Sequence, residues 1–163
     1  MSAGRFAQGE KNHLKLYFAG PLFSIAEKTF NTSVADKIEQ LGISVFLPQR
    51  DGAESQIENY HDLDKETRRI SIFQIDYSEI IKSDIFLFIL DGRVPDEGAC
   101  FELGVAYTQK QLESKNKLII GLHTDSRAAF IGAKLNPMIK IPLDSIFGTV
   151  EELITYLQEK VMV

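Results

Sequence analysis

Ile85-Phe-Leu-Phe-Ile-Leu-Asp-Gly-Arg-Val-Pro-Asp-Glu-Gly-Ala-Cys-Phe-Glu-Leu-Gly-Val-Ala-Tyr107 is the stretch that decides the fold. Its first part, Ile85 to Leu90, is apolar throughout, the pattern of a strand covered on both faces of a parallel sheet. An acidic loop, Asp91 to Glu97, leads into a run from Gly98 to Tyr107 whose one charged side chain is Glu102. On a helix beginning near Gly98, Glu102 shares a face with Ala99, Leu103 and Ala106, the side that packs on the sheet. An unpaired ionised carboxylate loses its hydration in such a place. A glutamate among small apolar residues just past a strand end therefore reads as a working group. The plain alternative is a solvated side chain on a helix whose apolar face lies elsewhere.

Outward from this stretch, short β-rich apolar runs alternate with longer helical patterns. That order predicts an α/β fold: a flavodoxin-like or Rossmann-like doubly wound sheet of about five parallel strands with helices on both faces. The spacing predicts a first strand over 14–19 ending at Gly20-Pro21, and a helix from about Ile25 to Leu41 stopped by Gly42. A second strand is expected over 44–47, closed by Pro48, followed by a long polar loop over 49–65 and a helix from about Glu66 to Lys82. Leu118 to Leu122 reads as the fourth strand. A loop over 123–135 and Asn136-Pro-Met138 follow, with a short fifth strand near 139–143. Thr149 caps the last helix, and Glu152 completes a capping box. Residues 1–13 read as a flexible polar tail, and 14–163 as one domain.

Bulk properties narrow the function. The 163 residues are 44% hydrophobic and 25% charged, with a net charge of −5, which argues against a nucleic acid polymer as partner. Lys65-Glu-Thr-Arg-Arg69, the one basic cluster, reads as a solvated helix start. A single cysteine, Cys100, leaves no intrachain disulfide and points to a cytoplasmic home. Its apolar neighbours make it a packing residue rather than a nucleophile. The three histidines, His13, His61 and His123, share no metal-ligand spacing, so no metal and no cofactor are expected. No apolar run approaches membrane-spanning length, so no membrane is expected either.

A doubly wound sheet holds its ligand outside the carboxyl ends of its strands. The segments there are Gly20 to Phe23, Pro48 to Arg50, Asp91 to Glu97 and His123 onward. Ile72, Asp76 and Ile80 are spaced i, i+4, i+8, so Asp76 interrupts an apolar stripe. Its plain reading is an acid reaching water at the stripe's edge. Asp96 is either a helix N-cap or a ligand contact, and Asp91 either a turn opener or a ligand contact. Paired carboxylates serve glycosyl transfer through an oxocarbenium-like transition state, or Mg²⁺-dependent phosphoryl chemistry. The chain has neither G-x-x-x-x-G-K-[ST] nor G-x-G-x-x-G, so glycosyl chemistry is favoured. Tyr17 and Phe23 flank the first strand end, where aromatics stack on a ligand or fill core. Asn136 has helix capping as its plain account.

Leu16-Tyr-Phe-Ala-Gly-Pro-Leu-Phe23, Asp76 with Asp84, Asp96-x5-Glu102-Leu-Gly104 and Asn136-x-Met138, taken in order, resemble the nucleoside 2-deoxyribosyltransferase family over roughly residues 14–145. The resemblance implies exchange of 2-deoxyribose between nucleobases by double displacement. Glu102 would attack C1′ and form a covalent deoxyribosyl-enzyme. Asp76 and Asp96 would protonate or hydrogen-bond the departing base, and Tyr17 would position the nucleophile. Phe23, with Gly20, Gln49 and Asp91, would line the substrate pocket. Asn136, with Met138 beside it, would be donated by a neighbouring subunit to the deoxyribose hydroxyls. Substrates would then be 2′-deoxynucleosides and free purine or pyrimidine bases in nucleoside and nucleotide salvage, and the protein a homo-oligomer, a dimer or hexamer. The runner-up is a deoxynucleoside 5′-monophosphate N-glycosidase, a hydrolase needing phosphate donors such as Ser24 or Arg93. A non-enzymatic nucleotide-sensing module is the third reading, and Gly20-Pro21 lacks the acidic pair a receiver wants after its first strand.

Overall fold

The computed structural model describes residues 13–52, 64–113, 116–125, 127 and 134–161. Within them five parallel strands form one sheet: β1 (Lys15–Ala19), β2 (Ser44–Phe46), β3 (Ile85–Ile89), β4 (Leu118–Leu122) and β5 (Ser145–Phe147). The spatial order is β2-β1-β3-β4-β5, the flavodoxin-like order whose direction reverses between β1 and β3. The helices are α1 (Ile25–Glu39), α2 (Pro48–Asp51), α3 (Lys65–Lys82), α4 (Glu97–Leu112), α5 (Pro137–Lys140) and α6 (Val150–Val161). The expected α/β architecture is the observed one.

Period-two alternation sorts the strand residues onto two cores. Leu16, Phe18, Ile85, Leu87, Ile89, Ile120 and Leu122 pack with Val34, Ala35 and Ile38 of α1 and Leu153 and Leu157 of α6. Their neighbours Tyr17, Ala19, Phe86, Phe88, Leu90 and Ile119 face Ile80 of α3 and Ala99, Leu103 and Ala106 of α4. Burial on both faces is why the central strands carry almost no polar residue. It also sends Tyr17 to the α3–α4 side, where the acids lie.

Side-chain caps begin the longer helices. Ser24 accepts from the Glu27 amide while the Glu27 carboxylate accepts from Ser24 N, a full capping box. Asp64 accepts from the amides of Glu66 and Thr67 at 3.0 Å, and Asp96 from that of Ala99 at 2.9 Å. Thr149 accepts from Glu152 N, but the returning Glu152 carboxylate takes the amide of Gly148 rather than that of the cap residue.

Two expectations are corrected. The fifth strand lies at Ser145–Phe147, not near 139–143, because that stretch is taken by a helical turn. Asn136 caps α5 by accepting from Met138 N, and Pro137 sits at the first helical position. Pro142, with no N–H to give a sheet ladder, then separates the turn from the strand. The loop expected over 49–65 begins instead with α2, where Pro48 opens a short helix. The rest of that loop, most of the 123–135 loop and the tail lie largely outside the described residues.

Candidate active site

Gly20 opens the site. Its φ of +152° and the 2.7 Å that would separate an added Cβ from Ile89 Cβ both demand glycine where the chain leaves β1. The turn runs on through Leu22 and Phe23 to the head of α1. Opposite it, Asp96 caps α4, and the helix carries Glu102 back toward β1. A cleft of about 190 Å³ forms where these segments meet, between the carboxyl ends of β1 and β3. Gly20, Phe23, Pro48, Ile72, Asp76, Asp96 and Glu102 are among the residues lining it.

At its floor the Tyr17 hydroxyl donates to Glu102 Oε1 at 2.8 Å. The Tyr17 ring is fully buried between Phe46 and Phe86, with centroids 5.6 and 5.8 Å away and planes tilted by 16° and 7°. A ring held on both faces cannot swing, so its hydroxyl fixes the carboxylate. Burial, and behind it the negative charge of Glu102, holds the phenol protonated well above its usual range. Glu102 itself is pushed up to about 8. Burial is the main cause; the charges of Asp76 and Asp96 add to it, and the Tyr17 hydrogen bond opposes it. Such a carboxyl gives up and takes a proton within the range where an enzyme works.

The structure thus brings together Gly20, Phe23, Asp76, Asp96 and Glu102, with Tyr17 behind the last. Asp96 both caps α4 and faces the cleft, so its two readings are compatible. The other sequence candidates stand apart from the cleft. Asp91 accepts from the amides of Thr124 and Asp125, tying the β3 and β4 exits together. Gln49 turns its amide onto α1, where it meets Asn31, Lys28 and Thr32. Asn136 caps α5, and Met138 is 81% exposed. Asp84 accepts from Lys15 N at the opposite end of the sheet. Cys100 is half-buried, its thiol raised by burial and by Asp96 and Glu97. Among the described residues no group of three or more His, Cys, Asp or Glu is arranged to hold a metal, and no helix is long and apolar enough to cross a membrane.

Pro48, from a segment the sequence placed at the crevice, does wall the cleft, but sequence reading missed Ile72, which it took only as part of an apolar stripe. It also missed Asn31, although the signal that singled out Asp76 was present. Asn31, Val34, Ala35 and Ile38 are the buried residues of α1, so a polar residue heads that helix's apolar stripe.

Fold and site together define a flavodoxin-like α/β domain with three carboxylates at the switch point of its sheet. The family model for nucleoside 2-deoxyribosyltransferases matches residues 16–151, and the chain belongs to that family. A 2-deoxyribosyltransferase from the psychrotolerant bacterium Bacillus psychrosaccharolyticus shares its fold, with a TM-score of 0.71 and 23% identity over 90% of this chain and 95% of that one. A conserved protein from Enterococcus faecalis V583 superposes with a TM-score of 0.66 and 28% identity, covering 90% of this chain and 98% of that chain. No curated protein matches the chain.

Proposed function

We propose that the protein exchanges the base of 2′-deoxynucleosides, with Glu102 as nucleophile. The observation that carries this reading is the clamped Tyr17–Glu102 pair at the floor of a cleft whose other acids are Asp76 and Asp96. A Glu102 oxygen attacks C1′, the C1′–N bond breaks, and its electron pair leaves with the base. A carboxyl proton from Asp76 or Asp96 neutralises that base. The incoming base attacks C1′ from the opposite face and gives its proton to the Asp carboxylate left by the first step, the C1′–O bond breaks, and the Glu102 carboxylate is restored. Deoxyribose suits this path because no electron-withdrawing 2′-hydroxyl opposes the oxocarbenium charge, which three nearby carboxylates stabilise.

Unphosphorylated substrates fit best, since the described lining residues include no Lys, Arg or His to meet a phosphate. Neither Ser24 nor Arg93 is among those lining residues. Asn136 and Met138 would enter the cleft of a neighbouring subunit, a reading supported by the exposure of Met138 and Ile141 beside them. The protein would then act as a homo-oligomer in cytoplasmic nucleoside salvage. The test is incubation with deoxyinosine or thymidine, with and without adenine. Deoxyadenosine formed only when adenine is present is the expected result. Free base released equally without adenine would mean hydrolysis, and an active Glu102→Ala variant would end the assignment.

A further inference from the structure

Asn31 is 2% exposed, yet it is polar and its Oδ1 has no hydrogen-bond partner. A buried orphan acceptor costs stability, so an apolar side chain of this size would serve packing better. What Asn31 adds lies at its other atom. Its Nδ2 donates to Pro21 O at 2.9 Å and to Gln49 Oε1 at 3.1 Å. Both partners are acceptors, which fixes the amide's orientation. Gln49 Nε2 is held in turn by Lys28 O and Thr32 Oγ1 at 2.8 and 3.1 Å. Pro21 belongs to the turn that supplies Gly20, Leu22 and Phe23 to the cleft, and Gln49 to α2, whose Pro48 lines it from the side. One buried NH₂ group therefore joins two walls that come from different strand ends.

We infer that Asn31 is a positioning residue that sets the spacing of the base-side walls, with Gln49 as the other half of the tie. This rests on the reading of the cleft as a base-exchange site, where Phe23 and the α2 segment flank the base. Asn31 touches no substrate; it acts through Pro21 and Gln49. Its loss loosens the pocket for the base and leaves the Tyr17–Glu102 pair in place.

The experiment is a double-mutant cycle of Asn31→Leu and Gln49→Leu, read by exchange kinetics and by amide hydrogen exchange. Asn31→Leu should raise KM for the acceptor base about tenfold, the worth of one neutral hydrogen bond, with kcat within about twofold. Gln49→Leu should raise the same KM, and the double variant should be no worse than either single one. The amides of Arg50, Asp51 and Gly52 should exchange faster in Asn31→Leu. A role in stability alone would lower the melting temperature and leave KM unmoved. An unchanged KM in both single variants, fully additive increases, or unaltered amide protection overturns the inference. Hydrogen exchange needs no turnover, so a wild-type protein inactive in exchange removes the base-exchange reading while the tie itself is still decided. Gln49→Leu, on the half-buried α2, carries the test if Asn31→Leu does not fold.

Discussion

Glu102 is held at about 8 in the folded protein, against 4.5 for an ordinary glutamate. The native state thus keeps a proton that the unfolded chain gives up between those two values. The contribution of Glu102 to stability is level below about pH 4.5, falls as pH rises toward 8, and is level beyond it, a loss of roughly 3–5 kcal/mol from this one group. Glu102→Gln, which never ionises and still accepts from Tyr17, should melt above the wild type at pH 9 and match it at pH 5, by calorimetry. The same variant should lose exchange by at least about 10³-fold, because an amide is a poor nucleophile. In the wild type, kcat/KM should fall about tenfold per unit as pH drops below 8, since the free enzyme then holds Glu102 protonated. Tyr17→Phe removes a hydrogen bond to the ionised form. It should lower kcat/KM by about 10–100-fold and move the pH midpoint upward, as a pH–rate profile would record.

At the scale of the element, Asp96 does two jobs that one substitution separates. Asp96→Ser keeps a side-chain acceptor for the Ala99 amide and should cost under about 0.5 kcal/mol in urea unfolding. It removes a carboxylate from the cleft, and exchange should drop while stability holds; Asp96→Ala should lose both. The elements were legible in sequence wherever one pattern ruled them. Ile85 to Leu90 could be nothing but a covered strand, and Thr149 announced its helix. The misplaced fifth strand shows where this fails. Ile139-Lys-Ile-Pro-Leu143 alternates like a strand, but its first residues belong to a turn already nucleated by Asn136 and Pro137. The floor of the cleft was legible because burying acids is costly and so conspicuous. Gln49 was not, because nothing in its neighbourhood told which way an amide on a short helix would turn.

The molecule divides its labour along the strand axis. The carboxyl ends hold the cleft with Asp76, Asp96 and Glu102, and the amino ends are closed by a separate set of struts. There Lys117, 1% exposed, donates to Ile80 O, Ser83 O and Ser83 Oγ, closing the end of α3 onto the start of β4. Asp84 and Asp144 accept from the amides of Lys15 and Ile119 at the same end. Lys117→Met removes the ammonium donor from Ser83 O and Ser83 Oγ, while Ile80 O keeps the Ser83 hydroxyl, and should cost about 3 kcal/mol by chemical denaturation. Its specific activity per folded molecule should match the wild type, because no cleft residue is touched.

The two edge strands, β2 and β5, are three residues long each, whereas the strands they flank have five. Edges so short offer a passing chain little to pair with, and the native protein should stay dispersed even when concentrated. The heated chain has no such protection: Ile85-Phe-Leu-Phe-Ile-Leu90, shielded at the centre of the sheet, is a segment built to stack on copies of itself. Thermal scans should therefore rescan cleanly in dilute solution and end in precipitate at high concentration. The hexapeptide that makes the fold is also what makes its loss permanent.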